Sequence, residues 1–272
     1  MIVAALELPG RGGTIAERLA QADLAIDAAV ATGARLVVLP EAYLPGYSHV
    51  RASCAEDALG FLTDRAARHR ACLAMGYLAH DACSMALVAP DGRRWTYQKR
   101  FLSPAEARVW TAGRVPVIAN TPVGRVGLAL CADVLQRATW EPFRGAVDIV
   151  AVGAAWPDYV GRLAKMPVVT RPALRWLFSQ SNPYRDDLLG RAAVAIGAPV
   201  VFANAHGNME GAEGFSGGSG VWSSTGERVA RVMDGVASAC VSAGTPGSPL
   251  GHPPEWEAFT TIYRWAGRYG RR

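Results

Sequence analysis

Short apolar segments alternate with helical segments through the first half of the chain, and this alternation constrains the fold most. The segments IVAALEL (2–8) and RLVVLP (35–40) have the length and composition of strands. Helical spacing follows each of them, over 14–32 and 54–70. The apolar run in 35–40 is continuous, which is typical of a strand covered on both faces. The pattern predicts a layered α/β domain.

The remaining predicted elements extend this pattern. Four residues at helical spacing give the helix over 14–32 its apolar side: Ile15, Leu19, Leu24 and Ala28. Strands at 72–79 and 83–90 lead to a hairpin turn at Asp91–Gly92. Further along we expect helices at 104–110, 138–146 and 185–197, strands at 117–120, 126–131, 148–155 and 199–205, and a meander of late strands after 214.

The composition is that of a globular chain, with half of the 272 residues hydrophobic and 19% charged. No apolar run approaches the ~18–20 residues that span a bilayer. The N-terminal stretch contains Glu7 and lacks the basic start of a signal peptide. We therefore expect a cytoplasmic protein with no membrane partner. We also expect one domain over 1–242 and a tail over 243–272, either packed in a subunit contact or partly flexible.

Cysteine spacing and charge argue against metals, cofactors and nucleic acid as partners. The five cysteines form no CxxC pair, so a zinc site of the usual spacing is not expected. The sequence has no recognisable nucleotide-binding loop, and we expect no cofactor. Part of the net charge of +5 lies in tail arginines, which we assign to a solvated or subunit-contacting surface: Arg264, Arg268, Arg271 and Arg272.

Lysine is rare in this chain, which makes each lysine informative. Of the 28 Lys and Arg residues, only Lys99 and Lys165 are lysines. Arginine is used wherever the chain needs a general surface cation. A lysine therefore suggests a task that requires a compact ammonium group with an adjustable pKa.

Three chemically complementary residues each follow a strand-like segment. Glu41 follows RLVVLP, Lys99 follows RRWTYQ and Cys131 closes VGLAL. Functional groups of α/β proteins gather at the carboxyl ends of strands. Each residue alone has an ordinary explanation, as a loop acid, a strand-end charge or a buried packing thiol. The combination of all three predicts a catalytic site.

These groups support nucleophilic chemistry without a histidine. A thiol with a pKa near ~8.5 is a weak nucleophile at neutral pH unless a base or a cation assists it. Glu41 can accept the thiol proton, and burial would raise the pKa of its carboxyl toward a useful range. The Lys99 ammonium would favour the thiolate and stabilise negative charge on an attacked carbonyl or nitrile.

Three motifs resemble those of the nitrilase superfamily of carbon–nitrogen hydrolases. LVVLPEAYLPGY resembles the glutamate motif of that family, YQKRFLSPAEARVWTAG its lysine motif and GRVGLALCADV its cysteine motif. The order Glu, Lys, Cys also agrees. PVVFANAHG and FSGGSGVWSSTGERVAR resemble the late strand and the Gly/Ser-rich hairpin of the family, so the likeness runs from about residue 2 to 240.

The resemblance implies a four-layer αββα sandwich that assembles into homodimers or larger homo-oligomers. It implies Glu41 as general base, Lys99 as oxyanion stabiliser and Cys131 as nucleophile. The N–H group of Ala132 would complete the oxyanion hole, and Glu106 would position substrate or orient the lysine. The implied enzyme is a hydrolase that cleaves a small amide through a thioester and releases ammonia or an amine.

The same motifs leave other activities open. The thioester could form from a small nitrile or pass to an amine in an acyltransferase, and a member without activity could serve as a scaffold. Ala132 stands where the family usually has an aromatic residue, which would open the pocket. The segment 156–185 resembles no family motif, so the sequence does not identify the substrate.

Several further residues are candidates for the substrate pocket. His49 lies just beyond the glutamate motif, and Trp156 follows DIVAVGAA. Both could line a pocket, although a loop histidine and a packing tryptophan are the commoner cases. Three arginines could bind a substrate carboxylate, but we expect them on a solvated face: Arg171, Arg175 and Arg185.

A G-x-S-x-G pattern at Gly214–Gly218 raises the alternative of a serine hydrolase. Ser216 is its central residue, and Asp234 and His252 follow in the order of that enzyme class. The serine of such an enzyme follows a strand and precedes a helix. GSGVWSSTGERVARV instead predicts a β-hairpin, so we do not assign Ser216 as a nucleophile.

Overall fold

The structure is a computed structural model that describes residues 1–48, 50–158, 181–207, 214–232, 235–248 and 250. The strands are β1 (Ile2–Leu6), β2 (Leu8–Pro9), β3 (Leu36–Val38), β4 (Ala52–Ser53), β5 (Cys72–His80), β6 (Ala82–Val88), β7 (Arg94–Gln98), β8 (Val117–Thr121), β9 (Gly124–Leu130), β10 (Ile149–Ala154), β11 (Pro157–Asp158), β12 (Val200–Gly207), β13 (Gly214–Ser216), β14 (Gly220–Trp222), β15 (Arg228–Arg231) and β16 (Val236–Cys240). The helices are α1 (Ile15–Ala31), α2 (Ala55–His69), α3 (Arg137–Trp140) and α4 (Ser181–Ile196), and short 3₁₀ turns cover Glu106–Arg108, Cys131–Leu135 and Glu141–Phe143.

The described strands form two mixed β-sheets. The first sheet has the order β16-β1-β3-β5-β6-β7, with β4 paired to β5. Its central strands β1, β3 and β5 run parallel, and β6 and β7 extend it as antiparallel hairpins. The second sheet has the order β11-β13-β12-β10-β9-β8, and β9, β10 and β12 are its parallel centre. Parallel centres of this kind require covered faces.

The alternation of side chains along the strands builds four layers. Val3 of β1 packs between the two sheets, in one cluster with Leu128 of β9. The neighbouring Ala4 faces the other way and packs with α1 and α2. On the far side of the second sheet, Val152 of β10 packs with Leu188 of α4. Because successive strand residues point to opposite faces, one sequence supplies both the inter-sheet core and the contacts with helices.

Helix α1 is confirmed in position and partly in its buried side. Thr14 caps it, since the Thr14 hydroxyl accepts from the Glu17 N–H while the Glu17 carboxylate accepts from the Thr14 N–H. Of the expected apolar side, Ile15 and Leu19 pack against the core, whereas Leu24 is 72% exposed and Ala28 is also exposed. The buried side consists of Arg18, Ala22, Ile26 and Ala29.

Two other predicted helices are shorter than expected. The helix expected at 138–146 is divided into α3 and a 3₁₀ turn that contains Pro142. Proline lacks a backbone N–H and cannot continue a helix ladder. The helix expected at 104–110 is a single 3₁₀ turn at Glu106–Arg108. No helix among the described residues is long and apolar enough to cross a membrane.

Some predictions fall on residues outside the described ranges. They are the pocket residue His49, the arginines at 171 and 175, the tail arginines at 264, 268, 271 and 272, and the serine-hydrolase partners Asp234 and His252. The described part of the tail lies against the end of α4. There Gly244 N–H donates to the Gly197 carbonyl at 2.8 Å, and Gly247 N–H donates to the Val194 carbonyl at 2.8 Å.

Candidate active site

The ends of three strands bring the predicted residues together between the two sheets. Glu41 follows β3 and Lys99 follows β7 in the first sheet, whereas Cys131 follows β9 in the second. All three side chains are buried. The Lys99 Nζ donates to Glu41 Oε1 at 2.6 Å, and the Cys131 thiol is close enough to the Glu41 carboxyl to lower its pKa. The site therefore joins the two sheets through a carboxyl, an ammonium and a thiol.

A glycine in β5 allows the Glu41 turn to lie against the first sheet. A Cβ atom on Gly76 would come within 2.6 Å of both Glu41 Cα and the Ala42 nitrogen. These are backbone atoms, so a side chain here would displace the turn itself. Ala42 has a positive φ of 44°, a conformation that costs a non-glycine residue about 1 kcal/mol. The turn is therefore held by its surroundings.

Arg18 anchors the same turn from helix α1. Its guanidinium is buried and donates to the carbonyls of Tyr43 at 2.6 Å, Gly12 at 2.9 Å and Pro9 at 2.9 Å. It also lies 4.4 Å from the centre of the Tyr43 ring, and the Tyr43 hydroxyl donates back to the Arg18 carbonyl at 2.6 Å. A buried arginine satisfied by backbone carbonyls fixes the chain direction just after Glu41.

Cys131 sits at a strained turn where β9 ends and a 3₁₀ turn begins. Its φ is 39°, unusual for a residue other than glycine. The nearby Asp133 carboxylate accepts hydrogen bonds from the N–H of Leu130 at 2.9 Å and of Phe101 at 2.9 Å, and from the Tyr97 hydroxyl at 2.7 Å. Asp133 thereby ties the Cys131 turn to the chain that follows Lys99.

Glu106 shares the Lys99 ammonium with Glu41. The Lys99 Nζ donates to Glu106 Oε1 at 2.7 Å, and the Tyr47 hydroxyl donates to the same oxygen at 2.7 Å. The backbone N–H of Ser103 donates to Glu106 Oε2 at 2.7 Å. The structure thus places Glu106 beside the lysine and surrounds its carboxylate with donors.

The two glutamates differ in their proton affinity. Burial raises the pKa of Glu41 to about 7, against the lowering effect of the Lys99 ammonium. Burial alone would also raise the pKa of Glu106, but the Lys99 charge and the hydrogen bonds from Lys99, Ser103 and Tyr47 lower it overall. Glu106 therefore stays ionised at neutral pH, whereas Glu41 exchanges a proton there.

The thiol and the amine both hold their protons in the resting site. Burial would lower the pKa of Lys99, but the carboxylates of Glu106 and Glu41 outweigh it, so the pKa rises and the ammonium persists. Burial raises the pKa of Cys131 well above its ordinary value, and Glu41 adds to this effect, although Lys99 opposes it. Lys99 thus favours the thiolate, as expected, but burial outweighs its effect and the thiol keeps its proton in the resting site.

Two further contacts of Glu41 had no sequence signal. The N–H of Ala155 donates to Glu41 Oε2 at 3.2 Å, and the Cys83 Sγ lies 3.7 Å from Glu41 Oε1. A sequence does not show which backbone N–H groups donate to a side chain. A cysteine with apolar neighbours is usually interpreted as a buried packing residue. The contact of Tyr47 with Glu106 was easier to anticipate, because the loop after Glu41 carries two tyrosines.

Ala132 and Trp156 are the other predicted site residues within the described ranges, and both are buried. Ala132 is buried next to Cys131, in the first turn of a 3₁₀ segment, where backbone N–H groups have no acceptor within the turn. Trp156 is buried, and its indole N–H donates to the Ser181 hydroxyl at 3.0 Å. Its backbone N–H donates to the Asn204 side-chain oxygen at 2.7 Å. Trp156 is therefore held in place at both its backbone and its ring.

Arg185 and Ser216 form part of one buried network. Arg185 is only 2% exposed, so the expectation of a solvated face is wrong. Its guanidinium donates to the Ser216 hydroxyl at 3.1 Å and pairs with Asp186 at 2.7 Å. Ser216 ends strand β13 and is followed by coil and then β14. The strand–serine–helix context of a serine hydrolase is absent from this described segment.

A small acidic cluster lies outside the sheets, on helices α1 and α2. Asp23, Asp27 and His69 place their ligand atoms within 4.8 Å of one another. Arg65 already supplies a cation there, since its Nη2 donates to Asp23 at 2.9 Å. The cluster therefore has the composition of a surface ion-pair group.

Comparison with known proteins agrees with this geometry. The family model described as carbon-nitrogen hydrolase matches residues 2–237. The chain belongs to the carbon–nitrogen hydrolase family. The resemblance predicted from the three motifs is confirmed, and the protein is an enzyme of the hydrolase class. No curated protein sequence matches this carbon–nitrogen hydrolase significantly.

Solved structures confirm the fold of this carbon–nitrogen hydrolase. A glutamate-to-glutamine variant of the amidase from Nesterenkonia sp. AN1, with acrylamide added at its active site cysteine, has a TM-score of 0.71 at 20% identity and covers 96% of this chain and 99% of that chain. A cysteine-to-alanine variant of the same amidase in complex with butyramide has a TM-score of 0.70 at 19% identity, with 96% of each chain covered. The four-layer αββα prediction is thus confirmed.

Proposed function

We propose that this carbon–nitrogen hydrolase cleaves the C–N bond of a small amide, with Cys131 as nucleophile, Glu41 as general base and Lys99 as oxyanion stabiliser. The observation that carries the proposal is the buried Glu41 carboxyl, which bonds Lys99 at 2.6 Å, contacts the Cys131 thiol and has a pKa of about 7. A base of this pKa suits proton transfer at neutral pH.

The first step couples proton transfer to nucleophilic attack. The Cys131 sulfur bonds to the amide carbon while its proton passes to ionised Glu41. Because burial raises the pKa of the Cys131 thiol, the thiol needs a base during the attack itself. The carbonyl electron pair moves to oxygen and forms a tetrahedral oxyanion.

The oxyanion is stabilised by groups already in place. Lys99 is an ammonium held by two carboxylates, and it provides a fixed positive charge in a dry site. The backbone N–H of Ala132 is the second donor. Glu106 acts on the lysine, since its ionised carboxylate keeps the amine protonated and limits the directions in which it can point.

Collapse of the intermediate breaks the C–N bond. Glu41 returns its proton to the leaving nitrogen, and ammonia or an amine departs. The thioester on Cys131 then reacts with water, whose proton Glu41 accepts. The C–S bond breaks, the carboxylic acid leaves, and Glu41 returns the proton to the Cys131 sulfur. One carboxyl thus serves both half-reactions, which requires a group that gains and loses a proton easily at the working pH.

The amide is favoured as substrate by the structural neighbours. The amidase from Nesterenkonia sp. AN1, which shares this fold at 20% identity, is described with butyramide in one complex and with acrylamide added to its cysteine in another. A glutamate and a cysteine are the residues substituted in those two structures, and the buried Glu41 and Cys131 of this chain support the same class of substrate.

The test is ammonia release from a panel of small amides, ω-amides, N-carbamoyl compounds and nitriles. We expect release from an amide class, and a loss of about 10³-fold or more in the Cys131→Ala variant. Cys72→Ala is the matched control, because Cys72 is a buried thiol of the inter-sheet core that lies in none of the three motifs. Its activity should stay near the wild-type value.

Other outcomes would change the assignment. Activity on nitriles alone would make the protein a nitrilase, and hydroxamate formation from an amide and hydroxylamine without ammonia release in water would indicate acyl transfer. Silence across the panel, together with a Cys131 that resists alkylation, would contradict the proposal and leave the scaffold alternative.

A further inference from the structure

We propose that the buried thiol of Cys83 is a positioning residue for Glu41: it occupies one carboxylate oxygen and leaves the other to take the Cys131 proton. This inference rests on the proposed role of Glu41 as general base. No motif or family resemblance in the sequence pointed to Cys83.

Cys83 contacts two members of the cluster at once. It lies in β6 and is 0% exposed. Its Sγ is 3.7 Å from Glu41 Oε1, within the range of a sulfur hydrogen bond. Its backbone carbonyl accepts from the Lys99 N–H at 2.9 Å. A single residue of β6 therefore holds both the side chain of the base and the backbone of the lysine.

These contacts make the two oxygens of Glu41 unequal. Oε1 accepts from the Lys99 Nζ at 2.6 Å and from the Cys83 thiol, which together use both of its lone pairs. Oε2 accepts one hydrogen bond, from the Ala155 N–H at 3.2 Å. One lone pair of Oε2 thus stays open, and we assign Oε2 as the atom that takes the Cys131 proton.

The donor role requires that Cys83 keep its proton. Burial raises the pKa of the Cys83 thiol well above its ordinary value, and the Glu41 charge raises it further. Cys83 therefore remains an S–H group and does not compete with Cys131 as a nucleophile. It lies within β6, whereas Cys131 stands at the end of a strand in a strained turn.

The contact also bears on the pH at which Glu41 ionises. The titratable groups that face Glu41 are Lys99 at the end of β7, Glu106 in its 3₁₀ turn, Cys131 at the end of β9 and Cys83 in β6. A thiol donor stabilises the ionised carboxylate more than the neutral acid. Removing that donor should shift Glu41 ionisation to higher pH while the other three groups stay in place.

The experiment measures alkylation of Cys131 by iodoacetamide between pH 5.5 and 8.5, quantified on the Cys131 peptide by mass spectrometry. In Cys83→Ala the acidic limb, which is the rise of the alkylation rate with pH, should move to higher pH. The rate at pH 6, relative to the plateau rate, should therefore fall about threefold. Cys83→Ser keeps a donor and should move the limb back toward wild type. Cys72→Ala, a buried thiol of the same core, should leave it unchanged.

The possible results distinguish a failure of the proposed role of Cys83 from a failure of the proposed function. An unreactive Cys131 in the wild-type protein would contradict the proposed function itself. A reactive Cys131 with the same acidic limb in wild type, Cys83→Ala and Cys83→Ser would overturn only the role of Cys83. If Cys83→Ala does not fold, Cys83→Val fills the space without a donor and must give the same shift for the inference to stand.

Discussion

Glu41 and Glu106 hydrogen-bond the same Lys99 ammonium, yet their carboxyl pKa values move in opposite directions. Glu106 accepts further hydrogen bonds from Tyr47 and from the Ser103 N–H, which favour its ionised form. Glu41 has weaker additional donors, so desolvation dominates and raises its pKa. Their surroundings alone therefore keep Glu106 ionised and allow Glu41 to gain and lose a proton near neutral pH.

The pH dependence of turnover follows from the Glu41 carboxyl. Its pKa of about 7 means that the base is protonated below neutral pH and cannot accept the Cys131 proton. We expect kcat/KM to fall about tenfold per pH unit below that value and to level off above it. The measurement is a kcat/KM profile from pH 5 to 9 at constant ionic strength; a flat profile between pH 5 and 8 would contradict the assignment of Glu41.

The residues of this cluster could be predicted from the sequence where each of them belongs to a motif. Glu41, Lys99, Cys131 and Glu106 stand at recognisable positions of three motifs, and the structure places all four in one cluster. Cys83 could not be predicted, because its meaning depends on a contact that crosses from β6 to the turn after β3. The sequence also could not show that burial outweighs Lys99 in setting the state of the thiol.

Among the secondary-structure elements, β5 most directly shapes the site. It runs beside the Glu41 turn, where Gly76 N–H donates to the Pro40 carbonyl at 3.1 Å and Leu78 N–H donates to the Leu44 carbonyl at 2.9 Å. Hydrogen bonds of this kind extend the sheet past the end of β3. The turn that presents the proposed base is therefore supported almost as a strand would be.

Substitution of Gly76 tests this close approach. Gly76→Ala places a Cβ within 2.6 Å of backbone atoms of Glu41 and Ala42, and we expect a loss of about 1–3 kcal/mol in the free energy of unfolding. Activity should fall as well, because relief of the clash moves the Glu41 turn. The measurements are urea unfolding and kcat/KM.

A glycine in α2 is the matched control for Gly76→Ala. A Cβ on Gly60 meets no atom within 4 Å, and alanine in a helix interior is more stable than glycine by about 0.5–1 kcal/mol. Gly60→Ala should therefore stabilise the protein and leave kcat/KM unchanged. Equal effects of the two substitutions would show that the contact with the Glu41 turn has no particular importance.

The elements themselves were predicted best where the sequence pattern was unambiguous. The strands before and after the hairpin at Asp91–Gly92 and the ends of α2 agree with the structure to within a few residues. The buried side of α1 was only partly right: Ile15 and Leu19 pack against the core, but the large apolar residue Leu24 is exposed. The sequence also did not indicate that Arg18, a charged residue, belongs to the buried side.

Across the described part of the molecule, a charged cluster is enclosed between two sheets whose contact is largely apolar. Separating a buried ion pair from one partner is costly, because the remaining charge stays desolvated. The charged side chains of this cluster thus affect both the free energy of unfolding and the proposed chemistry. Assembly into homo-oligomers and a cytoplasmic location stay predictions from the sequence.

Removal of the Lys99 charge tests this dependence. Lys99→Met leaves the Glu41 and Glu106 carboxyls facing each other without a cation, and we expect a loss of about 3–5 kcal/mol in unfolding free energy at pH 8. The pKa of both carboxyls rises in this variant, so the folded state holds more protons than the unfolded state and stability increases as pH falls.

The measurement for Lys99→Met is urea unfolding at pH 5 and pH 8. The deficit relative to wild type should be smaller at pH 5, where the carboxyls can be protonated. Lys99→Met combined with Glu106→Gln removes one of the two facing charges and should recover part of the stability at pH 8. A deficit that is the same at both pH values would mean that lost packing, and not charge, explains the effect.

The pairing of β1 with β16 has a consequence for synthesis on the ribosome. Ile2 lies opposite Cys240, and the Met1 amine donates to the Val241 carbonyl at 2.9 Å. During translation β1 leaves the exit tunnel before its partner β16, which is made more than two hundred codons later. An unpaired strand edge can join the edges of other chains. The β1 edge that pairs with β16 therefore has no partner until β16 is made, and a product that stops before β16 keeps that edge unpaired.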